Sequence, residues 1–570
     1  MSVDHVLEIM PSDESSNHES LKCYEFTLSA FIETGEAESS IKVPLQRSYT
    51  GQKPVIPSSL SDTPCAALGV QGVLDRLNAT LGTSYTLGTP SLSALLADCI
   101  EKKYDFGTAY GHLRRVWNTD DHSNIRDVLH RLEEEDQEMR RQAVVGNKIV
   151  NPNLLPRRVW DLYSNRVVPW WIANESDEWP RPISHAWVGE KDRVDVWTLI
   201  NGKEWPVPIP KDASLDLIRI EMLNLGVDYV WLDVLCLRQK GGPGDHLRAE
   251  EWGLDVPTIG GVYAWAAWVV IYLSGLGRPS SLKEGDLESD RGWFRRAWTL
   301  QEVGTQRIMA GDTPDAPMHA QPIDDDRNYE NEILTRYHKQ LESLQGFRDI
   351  FCVLADMQNR VSTNPVDKVA GLAFLLFPIT IPAYHESESL EDAWTALVNA
   401  MGPVMRACFL FLYPGVGLGC KKWRPTWEQV MTEPLPADER CPGFVKRDDE
   451  TDEDWYEGFC IEKGHVQGLA EGGDHSRCGE LVIEDVDGMA HTFKIYVTHQ
   501  SPIPEDTYTL IGSNRHYLDG TPRHSQYWTF GRRLPEQRFE KCSVFRITGR
   551  DEIDRLDNLG VARISRNILV

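Results

Sequence analysis

The sequence predicts an α/β chain whose central domain holds a parallel sheet, flanked by a helical N-terminal module and a β-rich C-terminal region. Three observations lead there. Short apolar runs alternate with helical stretches between residues 156 and 315, apolar residues recur at helical spacing before that segment, and apolar and polar residues alternate near the C-terminus. At 570 residues the chain exceeds the roughly 250–300 residues over which one hydrophobic core usually grows, so several domains are expected.

Residues 1–55 are acidic, Ser-rich and without strong periodicity, which predicts a flexible extension. Residues 56–150 read as a helical module. Pro90 suits a first helical turn, with Leu92, Leu95, Leu96, Cys99 and Ile100 on one face behind it, and Ile125, Val128, Leu129 and Leu132 form a second stripe. The α/β segment, 156–315, offers candidate strands at Pro182–Trp187, Tyr229–Val234, Trp268–Leu273 and Arg307–Ala310. Helical stretches are expected at Asp212–Leu225, around Leu247–Ala267 and at Trp293–Val303. Strand and helix in alternation predict parallel strands with crossover helices, and functional groups then gather at the carboxyl ends of the strands. Residues 320–430 read as helical again. Residues 431–570 read as a β-rich domain, with Phe493, Ile495 and Val497 alternating with polar residues and further strands at Thr507–Ile511 and Val544–Ile547.

Composition removes several classes of function. Lys and Arg number 59 against 86 Asp and Glu, a net charge of −27 with no basic patch, which argues against nucleic acid as a partner. No run approaches the ~18 apolar residues that would cross a bilayer, and an acid stands near the N-terminus where a signal peptide carries basic charge, so a cytoplasmic chain without a membrane span is expected. The eleven cysteines include no C-x-x-C pair and read as reduced thiols, with no metal site implied. Walker A, G-x-S-x-G and H-E-x-x-H motifs are absent, and Gly415-Val-Gly-Leu-Gly419 reads as a turn.

What remains is a three-part constellation: Ile183-Ser-His-Ala-Trp-Val-Gly189, Tyr229-Val-Trp-Leu-Asp-Val-Leu-Cys-Leu-Arg-Gln239, and Arg291-Gly-Trp-Phe-Arg-Arg-Ala-Trp-Thr-Leu-Gln-Glu302. These blocks resemble the (L/I)-S-x-x-W-G, Y-(V/L)-W-(I/L)-D-x-L-C-(I/L)-x-Q and R-x-W-x-x-Q-E motifs of the fungal heterokaryon-incompatibility domain. Val262-Tyr-Ala-Trp-Ala266 is similar to that family's V-Y-x-x-A. Asn364-Pro-Val-Asp-Lys-Val-Ala-Gly-Leu372 and Trp423-Arg-Pro-Thr-Trp427 resemble segments that often follow the domain, and residues 56–117 resemble the leader of one subgroup. Two positions depart from the pattern: Val188 separates Trp187 from Gly189, and Val234 stands where Ser is common.

The resemblance implies a flavodoxin-like fold, distantly similar to Toll/interleukin-1 receptor domains, and a role in non-self recognition and death of fused fungal cells. Some Toll/interleukin-1 receptor domains split NAD at the nicotinamide bond with one glutamate. By that similarity Glu302 is the catalytic carboxylate, and Ser184, His185, Trp187, Asp233, Cys236 and Trp298 surround the substrate. No cofactor is implied; NAD would be the substrate. One carboxylate suffices, because nicotinamide leaves as a neutral molecule and needs no general acid. The other implied reading is a non-enzymatic assembly module that signals through protein partners or self-association. Plainer roles stay open for each residue: Glu302 pairing with Arg295, Arg296 or Arg307, Asp233 capping a helix, the tryptophans as core, and Cys236 as an inert buried thiol. Ser184 and His185 are adjacent on a strand, point to opposite faces, and so do not form a hydrolase pair.

Overall fold

The computed structural model describes residues 49, 51–118, 124–173, 179–312, 317–343, 349–376, 380–436, 443–473, 476–517 and 520–570. Most of the extension expected over 1–55 lies outside these residues. In the N-terminal module the expected stripe forms helix Leu92–Glu101, with Leu92, Leu95, Leu96 and Cys99 buried. The second stripe forms helix Ile125–Gln142, where Ile125 and Arg140 alone are fully buried.

The central sheet has six strands: β1 (Arg158–Asp161), β2 (Arg166–Pro169), β3 (Arg181–His185), β4 (Tyr229–Leu232), β5 (Val269–Tyr272) and β6 (Arg307–Ala310). Their spatial order is β6-β5-β3-β4-β1-β2. Strands β6, β5, β3 and β4 pair in parallel, but β4 pairs antiparallel with β1, and β1 antiparallel with β2. The expectation of a parallel, flavodoxin-like or Toll/interleukin-1-receptor-like sheet is therefore corrected to a mixed sheet. The hairpin β1–β2, where no strand was expected, supplies one edge. Its Trp160 faces Val230 and its Asp161 faces Tyr229 across the ladder. Most of the chain's strand content lies elsewhere, in an eight-stranded C-terminal sheet that is antiparallel except where Arg538–Thr548 meets Arg563–Leu569.

Helix α1 (Leu215–Asn224) follows its sequence pattern, burying Leu215, Ile218 and Met222 behind a Ser214 cap that accepts from the Leu217 amide. After β4 comes one helical turn, α2 (Asp233–Cys236). The helix expected at Trp293–Val303 does not form. Two 3₁₀ turns, Trp293–Arg295 and Trp298–Leu300, are separated by an extended Arg296 with ψ of 135°. The carbonyls that would accept helical bonds are taken: the Thr299 hydroxyl donates to Trp293 O (2.6 Å) and Arg296 O (2.9 Å), and Arg360 Nη1 donates to Arg296 O at 2.6 Å. Val361 completes the clamp, accepting from the Ala297 amide (2.9 Å) and donating to Arg295 O (2.6 Å). Arg360 and Val361 follow helix α3 (Ile350–Gln358), and α4 (Asp367–Ala373) comes next, so the helical region outside the expected α/β segment fixes that segment's last loop.

One hydrophobic cluster runs through the N-terminal helices, the central sheet and the later helices, while the C-terminal sheet adds a second around Trp528 and Phe545. Buried polar side chains join these parts. Arg219 donates to Ile56 O (2.8 Å) and Leu162 O (2.7 Å), and Lys541 of the C-terminal sheet donates to Phe409 O (2.7 Å) and Tyr413 O (2.6 Å) at the end of helix α5 (Pro403–Phe411). Lys541 thus satisfies carbonyls that a helix end leaves without partners. No single described helix is long and apolar enough to cross a membrane; Leu390–Ala400 and α5 pass that test only as a pair, bent by 116°.

Replacing Arg360 by Met leaves the Arg296 carbonyl and the Thr299 hydroxyl without this donor, a loss of about 1–3 kcal/mol for groups held away from water. Hydrogen exchange should quicken across residues 293–302 and stay unchanged in the C-terminal sheet. Uniform exchange in both regions would show that the clamp does not hold the loop.

Candidate active site

The carboxyl ends of β3 and β4 and the clamped loop 293–302 open onto a cleft of about 650 Å³. His185 and Trp187 come from β3 and the turn after it, Asp233 from the turn after β4, and Arg296, Trp298 and Glu302 from the loop. The opposite wall is Asn364, Asp367 and Tyr384, contributed by the helical region beyond residue 315.

Glu302 is held from behind. The Ser184 hydroxyl donates to Glu302 Oε2 at 2.5 Å and accepts from the Trp293 indole N–H at 2.7 Å, which forces its proton toward the carboxylate. Burial pushes the Glu302 carboxyl up to about 7. The Ser184 bond opposes that shift, the negative charge of Asp233 adds to it, and His185 and Arg296 pull it back. Near neutral pH this carboxyl therefore shares its time between the acid and the carboxylate. Among the described residues it forms no ion pair with Arg295, Arg296 or Arg307; Arg295 instead meets Asp290 at 3.3 Å. The plainer reading of Glu302 as an arginine partner is corrected accordingly.

His185 is buried between two acceptors, Asp233 Oδ1 at 2.9 Å on Nε2 and the Ala186 carbonyl at 3.2 Å on Nδ1. Burial alone would lower its pKa, but the Asp233 charge and hydrogen bond, the Ala186 carbonyl and Glu302 together raise it above the ordinary value. Both ring nitrogens can then donate. Asp233 also accepts from the Trp187 indole (3.2 Å) and from the Val234 amide (2.7 Å), so it both starts α2 and orients the aromatic side chain. Trp187 stacks on His185 with centroids 5.9 Å apart, and the Arg193 guanidinium lies over the Trp187 ring, 5.6 Å from its centroid. Trp231 is buried at the cleft floor, edge-on to Tyr263.

Two sequence-predicted contacts change role. Ser184 is fully buried and positions Glu302 instead of facing the cleft. Cys236 does not line the cleft; it is 1% exposed, its thiol is pushed up to about 12 by burial, and the neutral thiol sits 3.9 Å from Val230 O. Neither departure from the motif pattern touches the ligand space of this cleft. Val188 faces a different cavity, and Val234 is buried with its carbonyl accepting from Trp205 at 3.0 Å.

Sequence reasoning did not find Arg296 or the Asp367 wall. Arg296 has no hydrogen-bond or ion-pair partner for its guanidinium among the described residues; burial lowers its pKa while the charges of Asp367, Glu302 and Asp233 oppose that. Asp367 is 9% exposed and raised by burial, although the Tyr384 hydroxyl, donating at 2.8 Å, and the Trp298 indole favour its charged form. Asn364 donates to the same Tyr384 oxygen at 3.1 Å. The signal was present in Asn364-Pro-Val-Asp367, a segment noted for its resemblance but given no chemistry. Among the described residues no cluster of His, Cys, Asp or Glu is placed to hold a metal ion.

The displaced Glu302 carboxyl makes stability depend on pH. Its folded value of about 7 lies above the reference 4.5, so its contribution to folding is fully present below pH 4.5 and is lost as pH rises through 7. Glu302→Gln is expected to raise the thermal midpoint at pH 8, by a term on the order of 3 kcal/mol, and to leave it nearly unchanged at pH 4.5. Calorimetric scans at the two pH values check this, and an equal effect at both would place the carboxyl near its ordinary value. No protein-family model matches the chain, and neither a curated protein nor a solved structure was found to match it.

Proposed function

We propose that the cleft hydrolyses the nicotinamide–ribose bond of NAD, within a heterokaryon-incompatibility-type effector of cell death. The observation that carries the reading is Glu302. Its carboxyl is desolvated in the cleft, is fixed by Ser184 and makes no ion pair with an arginine among the described residues. As the bond breaks, positive charge develops on the ribose, and a positioned carboxylate stabilises that charge more in the transition state than in the ground state. Nicotinamide departs neutral, and water then adds to the ribose, releasing one proton as ADP-ribose forms. A carboxyl poised near 7 can take that proton.

The rest of the cleft suits a dinucleotide. Trp298 offers a ring face for nicotinamide or adenine, Trp187 with His185 and Arg193 on its ring walls the site, and the Arg296 guanidinium, unengaged among the described residues, suits a phosphate. His185 and Asp233, bonded to each other, hold Trp187 in place. The link to incompatibility rests on the three ordered motifs that end in Ser184–Gly189, Asp233–Gln239 and Trp298–Glu302. Assembly with partners is compatible with this chemistry.

Full-length protein incubated with NAD should release nicotinamide, measured by chromatography, and Glu302→Gln should reduce the rate at least about a hundredfold, the scale for removing one electrostatic stabiliser. The rate should rise between pH 6 and pH 8 as Glu302 loses its proton through about 7. Equal release by wild type and variant, or none by either, contradicts the enzymatic reading; cell killing that survives Glu302→Gln would then favour assembly alone.

A further inference from the structure

A second cavity, about 660 Å³, lies on the other side of the turn that follows β3, lined by Val188 and Gly189 where the first cleft takes Trp187. None of the motif chemistry uses it. We propose that this cavity binds a small organic anion, a carboxylate or phosphate monoester carried on an aromatic or branched apolar body, and that its occupancy is communicated to Glu302.

Three features define the ligand. Ser280 lines the cavity, is 7% exposed, and among the described residues its buried hydroxyl has no hydrogen-bond partner; a buried hydroxyl left unpaired is costly unless something else satisfies it. Arg291 supplies the charge. Its guanidinium lies against Gly189, where any Cβ would collide with it, and among the described residues that guanidinium has no hydrogen bond or ion pair. Of the other charged groups in the lining, Arg278 pairs with Asp212 at 3.0 Å, Asp286 keeps its charge while accepting from the Lys283 amide at 2.7 Å, the Lys283 side chain adds a second cation, and Asp192 is exposed. The apolar wall is Leu287, Phe294 and Tyr337, a small cluster that Phe294 joins to the main core. An anionic head on Arg291 and Ser280 with an apolar body on that wall satisfies all three.

The path to the first cleft is short. Trp293 lines the second cavity with its ring, while its indole N–H donates to Ser184 Oγ, the atom that donates to Glu302. A ligand that moves the Trp293 ring alters the bond that opposes the rise in the Glu302 pKa. This coupling, unlike the binding, rests on the role proposed for Glu302.

Isothermal titration of the full-length chain with phenyl phosphate, benzoate and neutral benzyl alcohol tests the binding. Saturable one-site binding of phenyl phosphate or benzoate is expected, the two arms reporting which head group is preferred, with none for the alcohol. Arg291→Gln should weaken binding by about tenfold or more, the scale of one charged hydrogen bond, and Ser280→Ala should weaken it less. Arg296→Gln, in the other cleft, should leave it intact. Binding that is absent, equal in Arg291→Gln, or lost in Arg296→Gln overturns the proposal. For the coupling, phenyl phosphate should shift the pH midpoint of NAD cleavage in wild type but not in Trp293→Phe, while calorimetry shows the ligand still bound; an equal shift in both contradicts it. If wild type cleaves no NAD, the proposed function fails and calorimetry still decides the binding site.

Discussion

Two consecutive hydrogen bonds, from the Trp293 indole to the Ser184 hydroxyl and from that hydroxyl to the Glu302 carboxylate, tie together the parts of this chain that matter for chemistry. Ser184 sits near the end of a buried parallel strand, whereas Trp293 and Glu302 stand at the two ends of a loop with no regular helix. An indole nitrogen can only donate, so the serine accepts from it and turns its own proton to Glu302 when that group is the carboxylate. These bonds place a carboxyl that burial would otherwise leave without a partner.

That loop holds its shape because another part of the chain grips it. Arg360 and Val361 occupy the carbonyl and amide positions that a helix across 293–303 would use, and a few residues later Asn364 and Asp367 form the far wall of the same cleft. Loop and wall are thus positioned by one short stretch. The cleft is consequently a property of the α/β segment and the helical region together, and the hydrophobic cluster shared between them leaves no seam there. Electrostatics follow from the same packing. Burial raises the Glu302 and Asp367 carboxyls, and the Arg296 guanidinium beside them opposes that rise without cancelling it.

Much of this was legible in sequence where local pattern decides structure. Strands β3 to β6, helix α1 and the Leu92 stripe followed from apolar spacing, whereas β1 and β2 did not; the residues at strand ends, His185, Trp187 and Asp233, fell in one cleft because parallel strands present their carboxyl ends together. The failures were non-local. Helical spacing at Trp293–Val303 cannot reveal that Arg360, some sixty residues later, removes the carbonyls a helix needs. The parallel sheet was misjudged because the pairing of β1 with β4 depends on tertiary contact. Cys236 was placed beside the substrate by its motif neighbours, yet the turn of α2 carries it into the core. Asp367 lay in a segment singled out for resemblance, but nothing in its spacing shows that it faces Glu302's cleft.

The proposed chemistry depends on the state of one carboxyl, that of Glu302. Infrared difference spectra between the wild-type chain and Glu302→Gln, recorded across pH, isolate the Glu302 carboxyl band from all others. A protonated carboxyl band that disappears with a midpoint near 7 is the predicted result. A midpoint near the ordinary 4.5 would mean that water or an ion partner reaches Glu302 freely, and would contradict the desolvated, serine-held carboxylate on which the proposed chemistry rests.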